Sequence, residues 1–374
     1  MRIGILTYYG APNYGAMLQA LALQAFLKSR GHEVFFLATP LTCPAMRFCD
    51  KLRLWYTLLR TGDLKRFRHG LEYHRSFSIV AGMRKFFREY SVRYSSGAEL
   101  RQLPPKLDAV VVGSDQIWWN LSDENRRDIF LARFAEPQMQ KIAYAASMGG
   151  RKVESGVRSL VAIDLASFSA IGMREPSGVE EVESLGFCGR LSLTPDPTLL
   201  VDMNVYKPVA SSAHQVAVGH VFDYFLDWDT PDARRYSKFI ASKVNAKGVF
   251  NATRKSGSVI CRAFGIEDKI PVADWLRGIE ESEFVVTNSF HGTVFAILNH
   301  RPFVCVKLSG SATRMNERID SLLCRLGLLE RFVGNYDESN LLALVNSPID
   351  WKGVDSKIRV LRNGAESFFK EIGM

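Results

Sequence analysis

The stretch "RIGILTYYGAPNYGAMLQALALQAFLKSRGHEVFFL", residues 2–37, restricts the fold more than any other part of the chain. "RIGILTYY" is a short apolar run, and "GAPNYG" then turns the chain. From 16 to 31 the apolar positions recur at helical spacing and end in a basic turn with a terminal glycine, as helix C-termini do. "EVFFL" (33–37) is the next apolar run. Strand, helix and strand in that order make a βαβ unit, which requires a parallel sheet covered on both faces.

The alternation resumes after residue 100. "DAVVVGSDQIW" (108–118), "KIAYAAS" (141–147) and "AIGMRE" (170–175) read as further strands, and "LTPDPTLLVD" (193–202) closes this half. After a polar stretch at 203–214 that reads as a linker, strands are expected at 215–222, 248–253, 283–289 and 302–306. Helices are expected near 231–246, 272–282 and 293–299. A length of 374 residues favours two cores over one. The expectation is an α/β chain of two Rossmann-like lobes facing a cleft. The N-terminal lobe would span 1–202, the C-terminal lobe 203–353, and a C-terminal helix 354–374 would pack back on the N-terminal lobe. Ligands are expected at the carboxyl ends of the strands.

One segment departs from the alternation. Of the net +9, nearly all lies in a helical insertion near 46–101, where 13 Lys/Arg face 5 Asp/Glu. Its aromatics Trp55, Tyr56, Phe67, Phe77, Phe86, Phe87 and Tyr90 suit either packing on the first lobe or contact with an anionic membrane. No nucleic-acid motif accompanies the charge. The six cysteines are scattered without a C-x-x-C pair, and neither a disulfide framework nor a metal site is expected. No apolar run reaches a membrane-spanning length and the N-terminus lacks a secretory pattern, which points to a cytoplasmic protein, peripheral at most at the inner face of the membrane.

Several strand-end loops carry polar residues. His291 lies in "TNSFHGTVF", between an apolar strand and a helix start, flanked by Ser289, Gly292 and Thr293. Free backbone amides at such a junction attract an anion, and a histidine there can deliver a proton to it. Asn13 and Gly15 open the first helix, where glycine allows close approach of an anion. Asp115 in "GSDQIWW" can take a proton from a sugar hydroxyl or serve as a helix cap, while Trp118 and Trp119 are expected in the core. Arg174 can grip a carboxylate or phosphate, or form a surface ion pair with Glu175. Arg314 and Arg318, four apart, read as one helical face that with Lys307 would line the cleft.

Taken in order, "TYYGAPNYGAMLQALAL", "DAVVVGSDQIW", "IGMREPSGVEEVESLG", "PDPTLL", "DWLRGIEESEFVVTNSFHGTVFAILNHRPFV" and "ERIDSLLCRLGL" resemble the polysaccharide pyruvyl transferase family from residue 2 to about 330. The resemblance implies a GT-B-like pair of lobes and transfer of pyruvate from phosphoenolpyruvate onto sugar hydroxyls as a ketal, without a cofactor. The acceptor would be a sugar or a lipid-linked oligosaccharide. It implies His291 as general acid and Arg174 as holder of the donor; Asp115 is the base in this reading. Several members carry Arg-Leu-His where this chain reads Ser289-Phe290-His291. Lys307, Arg314 and Arg318 are the candidates to replace the missing arginine. The alternatives are a GT-B-like glycosyltransferase using a nucleotide sugar and a non-catalytic binder of an anionic glycan precursor.

Overall fold

The first strand, β1 (Arg2–Leu6), pairs in parallel with β2 (Glu33–Phe36) on one side and β3 (Ala109–Val112) on the other. With β4 (Gln140–Ala146), β5 (Ala170–Met173) and β6 (Arg190–Leu193) the order is β2-β1-β3-β4-β5-β6, all parallel. A second parallel sheet runs β13-β12-β11-β7-β8, from β7 (His220–Tyr224), β8 (Val249–Asn251), β11 (Ser282–Thr287), β12 (Phe303–Val306) and β13 (Phe332–Val333). The hairpin of β9 (Thr253–Lys255) and β10 (Glu267–Lys269) stands apart from it. This computed structural model describes residues 1–44, 48–87, 89–90, 92–214, 216, 218–226, 233–255, 258–263 and 266–374.

In each sheet the chain reverses its direction of growth beside the first strand of that lobe. The switch lies between β1 and β3 in the first sheet and between β7 and β11 in the second. Loops leave the sheet on opposite faces at such a point and open a crevice at the carboxyl ends. The loops after β1, β3, β7 and β11 carry Asn13, Asp115, Leu226 and His291, and all four residues line one cavity.

The lobes share one continuous hydrophobic core, which runs from Ile3 and Tyr14 through Phe222, Trp275 and Val285 to Phe369. The helix α1 (Tyr14–Ser29) begins inside it: the Tyr14 ring stacks on Trp275 at 5.2 Å and its hydroxyl donates to the Ile270 carbonyl at 2.7 Å. The helix Trp351–Glu371 returns to the first lobe, where Phe369 packs on Phe26 and Tyr144 and Arg362 donates to the Leu199 carbonyl.

The structure adds detail to several expectations and corrects others. The stretch 203–214, read as a linker, forms short helical turns, Met203–Val205 and Lys207–Ala210, with Tyr206 and Val209 buried in the shared core. The strand expected from 215 is described only as β7, since 215 and 217 lie outside the described residues, as do 231–232 at the expected helix start. Residues 46–47, where the insertion was expected to begin, also lie outside them. The insertion forms a helical hairpin, α2 (Phe48–Thr61) and α3 (Leu64–Met83). Most of its aromatics turn inward: Phe67 is buried, Phe77, Phe86 and Phe87 pack on the shared core, and Tyr90 packs on the core of the first lobe. Arg75 on α3 forms a bidentate pair with Asp268 of β10, so the insertion bridges the lobes. Among the described residues no helix is long and apolar enough to cross a membrane.

Candidate functional site

The helix Phe290–Leu298 starts directly behind β11. Ser289 caps it, its side chain accepting from the Gly292 N–H at 3.3 Å, while the Thr293 hydroxyl donates to the Ser289 carbonyl. Such a cap contributes about 1 kcal/mol to a helix. It fixes His291 in the first turn, where the backbone N–H groups lack intrahelical acceptors and the helix end is positive. The imidazole packs against Gly15 of α1. A Cβ at position 15 would sit 2.0 Å from His291 Nδ1, so glycine is required there by the ring itself.

Behind the histidine lies a buried charged cluster. Asp196 Oδ2 is 3.5 Å from His291 Nε2, an ion-pair separation rather than a well-formed hydrogen bond. The same oxygen accepts from Arg174 Nη1 at 2.8 Å and from the Ser114 hydroxyl at 3.1 Å; Oδ1 accepts from the Thr198 N–H and hydroxyl. Burial opposes ionisation of Asp196, yet His291, Arg174 and the Thr198 N–H outweigh it and hold the carboxyl well below the usual range. Arg174 Nη2 donates to Asp115 at 3.3 Å. The chain thus runs Asp115–Arg174–Asp196–His291, with its two end residues on the cavity wall and the middle two behind it.

The cavity measures about 310 Å³. Its walls include Asn13, Asp115, Ser289, His291 and Arg318 from the expected set, together with Tyr8, Gln116, Trp119 and Phe290. Arg318 comes from the helix Asn316–Leu326 of the second lobe. Burial first, and then the neighbouring Arg174 cation, lowers it to about 10, which leaves it charged at neutral pH. Its guanidinium and that of Arg174 both face the Phe290 ring, at 5.8 and 5.0 Å from the centroid. With its amide turned to satisfy its neighbours, Gln116 accepts from both terminal nitrogens of Arg318 at 3.0–3.1 Å. Among the described residues, Nε of Arg174, Nε of Arg318 and Nε2 of His291 are buried without a hydrogen-bond partner in the protein. Of these, His291 and Arg318 lie on the cavity wall, where a small anion is the ligand chemistry that an arginine and a helix N-terminus suit.

Other expected residues lie elsewhere. Lys307 is exposed, with its ammonium over the Phe332 ring at 5.0 Å. Arg314 is exposed and folds back on the Ser311 carbonyl. The expected Arg314–Arg318 face does not form, because Arg314 ends a 3₁₀ turn and Arg318 belongs to the α-helix after it. Gly292 and Thr293 are buried in helix packing and do not reach the cavity. Arg174 is not on the cavity wall either, since both terminal nitrogens are engaged by carboxylates. Nor does it pair with Glu175 at the surface: Glu175 is buried and accepts from the Ser147 hydroxyl and the Met148 and Gly149 N–H groups. Trp118 is core, whereas Trp119 is partly exposed and lines the cavity. Asp196 was missed. Its signal was an aspartate between two prolines directly after a strand, in "TPDPT".

A family model for polysaccharide pyruvyl transferases matches residues 13–310, which include every residue of this cluster except Arg318. The chain belongs to the polysaccharide pyruvyl transferase family. No curated protein matches it in sequence. Among solved structures this family member is similar to UDP-GlcNAc 2-epimerase from Methanocaldococcus jannaschii (11% identity, TM-score 0.52, covering 98% of this chain and 100% of that one). It is also similar to a putative UDP-N-acetylglucosamine 2-epimerase from Listeria monocytogenes (10%, 0.51, 96% and 90%). A third is the UDP-GlcNAc 2-epimerase of Neisseria meningitidis bound to UDP-GlcNAc (9%, 0.50, 99% and 100%). At these identities the likeness is one of fold: the GT-B arrangement of two parallel α/β lobes.

A second cavity of about 330 Å³ lies between α3 and the ends of β7 and β8, with Asp223 in its wall. It is slightly the larger of the two, but it lacks the buried charged cluster that backs the His291 cavity. Burial pushes the Asp223 carboxyl up to about 6, against the pull of the Ser237 hydroxyl and Arg234. The folded state therefore binds more protons than the unfolded state between pH about 4 and 6, and stability falls as pH rises through that window. Asp223→Asn is expected to raise the melting temperature at pH 7.5, by a stabilisation on the order of 2 kcal/mol, and to leave it nearly unchanged at pH 4. Scanning calorimetry at the two pH values checks this; a gain of the same size at both would refute the ionisation argument.

Proposed function

We propose that the chain transfers pyruvate from phosphoenolpyruvate to two hydroxyls of a sugar, as a ketal, in the cytoplasmic assembly of a cell-surface polysaccharide or cell-wall glycan. The observation that carries this reading is the buried His291–Asp196 pair opening on a cavity whose wall holds Arg318 and a helix N-terminus. Phosphoenolpyruvate carries a carboxylate and a phosphate on three carbons, and it matches that set of donors in size and charge. Asp196 stabilises the protonated imidazole, which gives its proton to the donor's methylene carbon. The adjacent carbon takes on oxocarbenium character, and a sugar hydroxyl adds there as Asp115 accepts its proton. Phosphate departs and the second hydroxyl closes the ketal. In the balance one hydroxyl proton ends on the new methyl group and the other on the released phosphate.

Arg174 has a different part from the one the family resemblance implied. It holds Asp115 and Asp196 in place from behind, and Arg318 takes over the grip on the donor that Ser289 cannot provide. Arg318→Lys is then expected to raise the KM for phosphoenolpyruvate by about 10- to 100-fold, because a point charge cannot replace a two-pronged donor. Initial rates against donor concentration measure it; an unchanged KM would remove Arg318 from the donor site.

The test of the reaction itself is product analysis with phosphoenolpyruvate, a nucleotide sugar and a glycan acceptor supplied together. Ketal formation releases inorganic phosphate and adds a pyruvyl mass to the acceptor. Glycosyl transfer would instead release a nucleotide, and tight binding with neither product would make the chain a non-catalytic binder of a glycan precursor.

A further inference from the structure

Helix α2 carries an apolar stripe that, among the described residues, is largely exposed. Leu52, Trp55, Tyr56 and Leu59 follow one another at three- and four-residue spacing and therefore share one face. That face is open to solvent: the four residues are 57%, 40%, 63% and 84% exposed. The opposite face explains why. Leu54 packs into the space left by Gly70 of α3, so the two helices close on each other through that side. Trp55 is braced at the edge of the stripe by the buried Phe67 ring, with centroids 4.6 Å apart. Leu64, 58% exposed just beyond the turn at Gly62, extends the apolar surface to the tip of the hairpin.

The charges along the α2 stripe are cationic, with the exposed Asp63 at the turn the nearest described acid. No acidic residue occurs from Lys51 to Gly62, and the exposed Arg53, Arg60 and Arg66 flank the apolar positions. A second copy of the chain would bring the same cations against themselves, which disfavours self-association. An aromatic and aliphatic stripe edged by arginines instead fits an anionic phospholipid surface, where apolar side chains enter the acyl boundary and the guanidinium groups meet phosphates. We infer that the α2–α3 hairpin docks the protein on anionic membrane through Leu52, Trp55, Tyr56, Leu59 and Leu64. Of the residues the sequence suggested, Trp55 and Tyr56 remain in the lipid-facing set, whereas Phe67, Phe77, Phe86 and Phe87 serve packing; Leu52, Leu59 and Leu64 join it on α2 and at its tip. The docking does not depend on which group the enzyme transfers.

The experiment is co-sedimentation of the full chain with vesicles of phosphatidylcholine, with and without phosphatidylglycerol, at low and high salt. The wild-type protein is expected to bind the anionic vesicles and to release as salt rises. The triple substitution Leu52→Ser, Tyr56→Ser, Leu59→Ser should weaken that binding by about tenfold or more, with melting temperature and turnover of a soluble acceptor unchanged. Arg53→Glu with Arg60→Glu should weaken it to a similar degree without touching the apolar stripe. No binding by the wild-type protein at low salt overturns the proposal. Equal binding by wild-type and triple-substituted protein overturns it as well, and so does a wild-type dimer in sedimentation velocity that the triple substitution converts to monomer.

Discussion

Replacing His291 by glutamine is expected to lower turnover by about 10²–10⁴-fold while the protein stays folded. Glutamine keeps a polar group over Gly15 and leaves the Ser289 cap intact, so the helix start should survive. What disappears is the ring nitrogen that faces Asp196 at 3.5 Å. Donor affinity should change little, because Arg318 and the helix amides remain. Single-turnover rates and a donor-binding titration on the same preparation separate the two effects. A well-folded variant with near-normal turnover would exclude His291 as the acid.

The second large effect is on stability. Arg174→Met should destabilise the fold by about 3–5 kcal/mol, the range seen when one member of a buried ion pair is removed. Arg174 faces Asp196 and Asp115 together, and its guanidinium lies 5.0 Å from the Phe290 ring, so its loss leaves a fully buried carboxylate without its nearest cation. Arg174→Lys restores the charge but not the fork, and should recover part of the loss. Urea unfolding of the three proteins gives the order directly. A loss below about 1 kcal/mol for the methionine variant would mean that Asp196 finds another partner.

The sequence displayed the sheet-forming runs and the strand–turn–helix setting of His291 because both are local. β3 is four fully buried residues in a row, and Ser289 sits where a cap must. The partners of His291 were a different matter. Asp196 reaches it across 95 positions of chain, and Gly15 meets it from the other lobe. Nothing local marks such meetings. Arg318 was visible as a candidate, but its separation from Arg314 turned on where a 3₁₀ turn gives way to an α-helix, between Met315 and Asn316. Spacing alone reads that junction as continuous. For the insertion, the excess of cations was plain, whereas the pairing of Arg75 with Asp268 spans 193 positions and depends on the hairpin lying across the second lobe.

The continuity of the core across both lobes bears on how this protein could have been assembled and how it can be cut. Each half has a complete parallel sheet and looks, on a diagram of strand order, like an exchangeable module. Yet Tyr14 from the first half is seated among Trp275 and Tyr224 of the second, and the last helix of the chain covers Phe26 and Tyr144 of the first. A gene divided after Asp202 would yield two fragments, each with a raw apolar face where the other had been. The halves are separate in topology and inseparable in solvation, so recombination between relatives should be tolerated at the solvent-exposed loops of a lobe and not at the boundary between lobes.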